Sequence, residues 1–96
     1  MGKLIRDRIP ELLGDQAGTH RPLDDDAFET ALRQKLQEEV QEYLEGGEVM
    51  ELADILEVVY ALAKLDGVTE SQLDYFRAEK ARDRGAFEQR LYWEGD

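Results

Sequence analysis

Four acidic side chains flanking a Gly-Gly step have the types and spacing to hold a metal ion. In EEVQEYLEGGEVMELAD, Glu38 to Asp54, acids stand at Glu39 and Glu42, the chain reaches Gly46-Gly47, and acids return at Glu51 and Asp54. Each pair is spaced i, i+3, which places both members on one face of a helix. Glu42 and Glu39 precede Gly46 by four and seven residues, and Glu51 and Asp54 follow Gly47 by four and seven. Two helices joined by a tight turn pack antiparallel. Glu42 then comes level with Glu51, and Glu39 with Asp54, so four carboxylates are expected to converge on one seam.

The positions of these acids around their helices sharpen the expectation. At about 100° per residue, Phe28, Leu32, Leu36, Val40 and Tyr43 form one apolar stripe, with Glu39 inside it and Glu42 at its edge. On the following helix Glu51 and Asp54 fall among Val58, Leu62 and Leu65. Ionised carboxylates in an apolar seam are costly unless paired or metal-bound. Glutamate is a strong helix former, and 23 acids in 96 residues produce some ExxE pairs by chance. Two pairs on apolar stripes, symmetric about a turn, are a sharper pattern than one. Oxygen ligands without His or Cys select a hard ion, Mg²⁺ or Mn²⁺, with Ca²⁺ less suited to a catalytic setting.

The elements that must position these groups are helical. Pro10 suits a first helical turn, giving a short helix over Ile9 to Leu13. Gly14 to Pro22 reads as loop. Asp24 is the expected N-cap of a helix running to about Glu45 and closed by Gly46-Gly47. A second long helix is expected from about Glu48 to Asp66. It is apolar over most of its circumference, with Leu52, Ile55, Leu56, Val58, Val59, Leu62 and Leu65, and such a helix belongs inside a bundle. Thr69 and Gln72 form a capping-box pattern, so a third helix is expected from Glu70 to near Gly85. No alternating strand pattern occurs. The expected fold is all-α: one domain over residues 1–96, a bundle of about three main helices built on an antiparallel hairpin and completed by oligomerisation.

Bulk composition narrows the function classes. Twelve basic and 23 acidic residues give a net charge of −11. That charge disfavours a nucleic-acid polymer or an anionic membrane as partner. The absence of cysteine excludes disulfides, thiolate zinc sites and Cys nucleophiles, and suits a cytoplasmic setting. MGKLIRDRIP carries charges at Lys3, Arg6, Asp7 and Arg8 and does not read as a signal peptide.

Three segments resemble the all-α nucleoside triphosphate pyrophosphohydrolase superfamily, in particular MazG-like proteins. The family pattern EExxE, spacer, ExxD is matched by EEVQE (Glu38, Glu39, Glu42) and ELAD (Glu51, Asp54). KLIRDRIPE, Lys3 to Glu11, and KARDRGAFEQRLY, from Lys80, are similar to segments of a short, phosphoribosyl-ATP pyrophosphohydrolase-like branch. Only eight residues, Tyr43 to Met50, separate the acidic motifs, which also favours the short branch. The resemblance implies hydrolysis of a nucleotide between its α and β phosphates to a monophosphate and pyrophosphate, with clearance of unwanted nucleotides as the expected role. It implies Mg²⁺ on Glu39, Glu42, Glu51 and Asp54, and catalytic parts for Glu38 and Glu39, with Glu38 orienting the attacking water or adding a ligand. It also implies dimers or tetramers.

A triphosphate needs cations from the protein. Lys35, four residues before Glu39 on the same side of its helix, is placed either to reach a phosphate or to pair with Glu39. Lys80 and Arg84 share a side with Leu73 and Phe76, and Lys3, Arg6 and Arg8 form an N-terminal cluster. With the family pattern, these six read as phosphate-binding. Glu57 and His20 read as solvated, and Tyr92 and Trp93 as packing against another subunit. The reading from a different class is a non-catalytic helical assembly module that retains an acidic metal-binding seam.

Overall fold

The computed structural model describes residues 2–95, and no strand occurs among them. The chain folds as four α-helices: α1 (Ile9–Leu13), α2 (Asp25–Gly46), α3 (Val49–Leu65) and α4 (Glu70–Arg84), with a 3-10 turn at Gly14–Ala17 after α1. The fold is the expected all-α bundle around an antiparallel hairpin. No helix among the described residues is long and apolar enough to cross a membrane.

Local chemistry sets most helix ends. The Asp24 carboxylate accepts a hydrogen bond from the Ala27 amide at 2.9 Å, so α2 starts one residue later. Asp25 and Asp26 in the first turn complement the helix dipole. Gly47 ends the helix in the left-handed conformation (φ 71°, ψ 16°), and its N–H donates to the Tyr43 carbonyl at 2.7 Å. A side chain there would be strained, which is why glycine stands at this position. Gly46 itself stays helical, so the reversal is made by Gly47 and Glu48, one residue later than the Gly-Gly step suggests. Thr69 and Gln72 form the reciprocal capping box of α4, with bonds of 2.9 and 3.1 Å. The stretch read as loop begins with the 3-10 turn Gly14–Ala17, because Gly14 (φ 58°) breaks α1 and the chain continues in one tighter turn.

The hairpin of α2 and α3 is the principal packing unit, and α4 rests more lightly on α3. Helix α1 packs only on its own 3-10 turn. Among the described residues, the buried apolar ones are Leu32 on α2 and Val58 on α3. Phe28 and Tyr43, read as core from the pattern, are half-buried.

Helix α3 is incompletely covered within one chain, as its nearly all-round apolar pattern leads one to expect when only two helices flank it. Its apolar residues surround it, but α2 covers one side and α4 little more, so Leu52 and Leu56 stay 45% and 47% exposed. The chain as a whole is open. Its radius of gyration is 17.0 Å and it extends 56 Å along its long axis. A compact chain of this length would have a radius of about 12–13 Å. The accessible surface of 8809 Å² exceeds by more than half the roughly 5,600 Å² of a compact monomer of 11.0 kDa.

Candidate metal centre

The hairpin brings acids from its two arms together in the seam. Carboxylate oxygens of Glu39 on α2 and of Glu51 and Asp54 on α3 all lie within 4.8 Å of one another. Glu39 is the most enclosed, only 7% exposed, as expected of an acid inside the apolar stripe of α2. Glu51 and Asp54 are half-buried. Glu42 is exposed and stands outside the close trio, consistent with its place at the edge of the stripe. It remains coupled to the site, because the Glu39 charge first, and partial loss of water second, push the Glu42 carboxyl above its ordinary pKa.

Two cations answer these acids among the described residues, and neither reaches every oxygen. Lys35 Nζ, one turn before Glu39, lies 3.3 Å from Glu39 Oε1 and 3.4 Å from Glu38 Oε1. Burial works to lower the Lys35 pKa, but the carboxylates of Glu39 and Glu38 outweigh it and the net shift is upward. Arg6, from the N-terminal segment, places Nη2 2.7 Å from Asp54 Oδ1. Glu39 Oε2 and Glu51 Oε2 are buried and have no hydrogen-bond partner. Loss of water, followed by the charges of Glu39 and Asp54, raises the Glu51 pKa.

This donor set fits a hard divalent cation. Two residues of the close trio, one from each arm, each carry a buried carboxylate oxygen without a hydrogen-bond partner. A buried polar atom without a partner calls for a physical explanation: a proton shared between Glu39 and Glu51 would satisfy the oxygens at low pH, and a divalent cation would satisfy them when both acids are ionised. Oxygen-only ligation favours Mg²⁺ or Mn²⁺ over softer metals. Glu39, Glu51 and Asp54 would be direct ligands, with Glu42 beside them.

The remaining expected site residues lie at different distances from this centre. Glu38 is half-buried and engaged by Lys35. Lys35 is paired with both Glu38 and Glu39 in this structure. Lys3 is exposed, and Arg8 pairs with Glu11 at 3.5 Å. Lys80 lines a shallow cleft on α4 with Leu73 and Phe76, the apolar side on which the periodicity places it. Arg84 is exposed at the last position of α4. None of Lys3, Arg8, Lys80 or Arg84 pairs with a seam carboxylate among the described residues. Glu57 and His20 are exposed. The contact that sequence reasoning missed is the pair of Arg6 with Asp54; the only hint was the uncompensated negative charge of the seam.

No family model, curated protein or solved structure matches the chain.

The raised carboxyl pKa values give a signed pH dependence. Glu42 and Glu51 hold protons more tightly in the folded chain than in the unfolded one. Where the folded groups are protonated and the unfolded ones are not, folding takes up protons, so stability rises as pH falls through the folded pKa. The gain is complete below the ordinary value of 4.5. In chelator, the Tm of the metal-free protein is therefore expected to rise as pH is lowered from 7 towards about 5. The rise should shrink in Glu51→Gln, and a wild-type-sized rise in that variant would contradict the assignment. Thermal melts followed by circular dichroism make the comparison.

Proposed function

We propose that the chain is a Mg²⁺-dependent nucleotide pyrophosphohydrolase, splitting a nucleoside triphosphate or related nucleotide between its α and β phosphates. The observation that carries this reading is the nearly enclosed Glu39, with one buried oxygen unpartnered and its carboxylate within 4.8 Å of acids on the opposite helix. The resemblance of EEVQE, ELAD, KLIRDRIPE and the RGAF segment to the pyrophosphohydrolase pattern supports the substrate class.

In this reading the protein supplies a binding surface and no covalent nucleophile. A bound divalent cation would acidify water and screen phosphoryl charge. Glu39, Glu51 and Asp54 hold that ion's place at the bottom of the seam, with Glu42 at its edge. Glu38, at the rim beside Lys35, orients the attacking water and accepts its proton. The water oxygen joins phosphorus as the α–β bridging P–O bond breaks, and the bridging oxygen leaves with the pyrophosphate. Lys35 keeps the Glu38–Glu39 pair in position. Lys3, Arg6, Arg8, Lys80 and Arg84 are the cations available to the phosphates, and fixed cations are most effective where charge develops. Clearance of unwanted nucleotides would be the physiological role.

The same reading includes self-association into a homodimer or homotetramer. Leu52, Leu56, Phe76, Phe87, Tyr92 and Trp93 are between 45% and 94% exposed in one chain. The surface excess over a compact monomer is of the size that obligate interfaces remove. Sedimentation at micromolar concentration should give two or four times the chain mass of 11.0 kDa. A single species at the chain mass would contradict this part of the proposal.

Product analysis tests the activity. Incubation with a panel of NTPs and dNTPs and Mg²⁺ should release monophosphate and pyrophosphate in equal amounts. Glu39→Gln and Asp54→Asn should each reduce kcat by about a hundredfold or more, the scale on which loss of a charge-stabilising group acts. Release of orthophosphate alone, or unchanged turnover in both variants, would contradict the proposal. Failure to cleave any panel member, with a Tm indifferent to Mg²⁺, would leave the non-catalytic assembly module as the better account.

A further inference from the structure

The segment before α1 touches the metal centre through one side chain. Residues 2–8 form no helix packed on the hairpin, and α1 contacts only the turn that follows it. Among the described residues, the one ion pair or side-chain hydrogen bond from this segment to the hairpin is Arg6 Nη2 to Asp54 Oδ1, across 48 positions of sequence. The oxygen that receives it belongs to the carboxylate trio. The other two members of the trio each keep a buried oxygen free.

From this geometry we infer that Arg6 is a positioning residue that exchanges partners: it holds the cation's place on Asp54 in the metal-free chain and is displaced when a divalent cation enters, freeing the N-terminal segment to close on an anionic substrate. The inference rests on the metal-centre reading and adds a moving part to it. A guanidinium and a dication are like charges, and sharing one carboxylate places them within a few ångströms of each other, where they repel. The pair is also built to give way. Its side chains are 57% and 40% exposed, and exposed ion pairs are weak. The two orphaned oxygens of Glu39 and Glu51 offer nothing to Arg6, which reaches neither, but they do offer ligands to an ion. Once displaced, the planar fork of Arg6 matches phosphate oxygens in pairs. Lys3 and Arg8 ride on the same segment and move with it.

Calorimetric titration with Mn²⁺ alone separates this inference from the reading beneath it. Wild type should bind the ion and Asp54→Asn should bind it far more weakly. Arg6→Gln should bind about two- to fivefold more tightly than wild type, the range set by the strength of an exposed pair. Arg21→Gln removes the same charge from an exposed loop position and should stay within measurement error of wild type. Limited trypsin cleavage after Arg8 provides an independent readout. It should accelerate severalfold when Mn²⁺ is added to wild type, and should be fast and indifferent to Mn²⁺ in Arg6→Gln. If Arg6→Gln binds Mn²⁺ no better than Arg21→Gln, or cleavage of wild type ignores the ion, the exchange is wrong and the metal centre stands. If wild type does not bind Mn²⁺ at all, the metal centre itself is wrong and the exchange goes with it.

Discussion

Electrostatic repulsion between carboxylates held in one interhelical seam is the constraint around which this chain is organised. Glu39 is nearly enclosed, and its neighbours Glu51 and Asp54 reach it from the other arm of the hairpin. Helix packing forces them together, because the residues that bury Leu32 and Val58 lie on the same faces as the acids. The protein cannot close the hairpin without closing the acids on one another. Lys35 and Arg6 relieve part of the conflict, and they leave one buried oxygen each on Glu39 and Glu51 without a partner. A structure that sought stability alone would place apolar groups there, since buried charge contributes little to stability even when paired. Retaining acids at that point makes sense if a cation occupies it.

The remaining architecture follows from how little one chain can cover. Helix α3 is apolar on nearly every side, yet only α2 lies along it for its full length. The tail beyond α4 carries Phe87, Leu91, Tyr92 and Trp93, all at least 84% exposed. In a chain of net charge −11, long-range repulsion opposes association, so any association of copies would have to rest on such local apolar surfaces. A cation in the acidic seam would lower the net negative charge of each chain.

Most of the hairpin was legible in the sequence because its determinants are local. Asp24, Thr69 with Gln72, and Gly47 announce helix ends through hydrogen bonds made within a few residues. The burial of Glu39 followed from its angle around α2, whereas Glu42, expected to converge with the other three acids, is exposed and lies outside the close trio because it stands at the edge of the stripe. One feature was hidden for a physical reason. The Arg6–Asp54 pair depends on where a non-helical segment lies, and no periodicity governs such a segment. The incomplete cover of α3 was legible, because an apolar pattern on nearly every side asks for more neighbours than two helices provide. Lys35 was legible as a cation near the acids, and the coordinates place it beside both Glu39 and Glu38.

The central claim is that the seam is a cation site, and the most direct measurement is anomalous diffraction from crystals grown with Mn²⁺. The account predicts one anomalous peak between α2 and α3, at hard-cation ligand distances of about 2 Å from oxygens of Glu39, Glu51 and Asp54. Its contradiction would be crystals with the hairpin intact and manganese in the solvent, in which that point holds water or nothing and the three carboxylates turn away from one another.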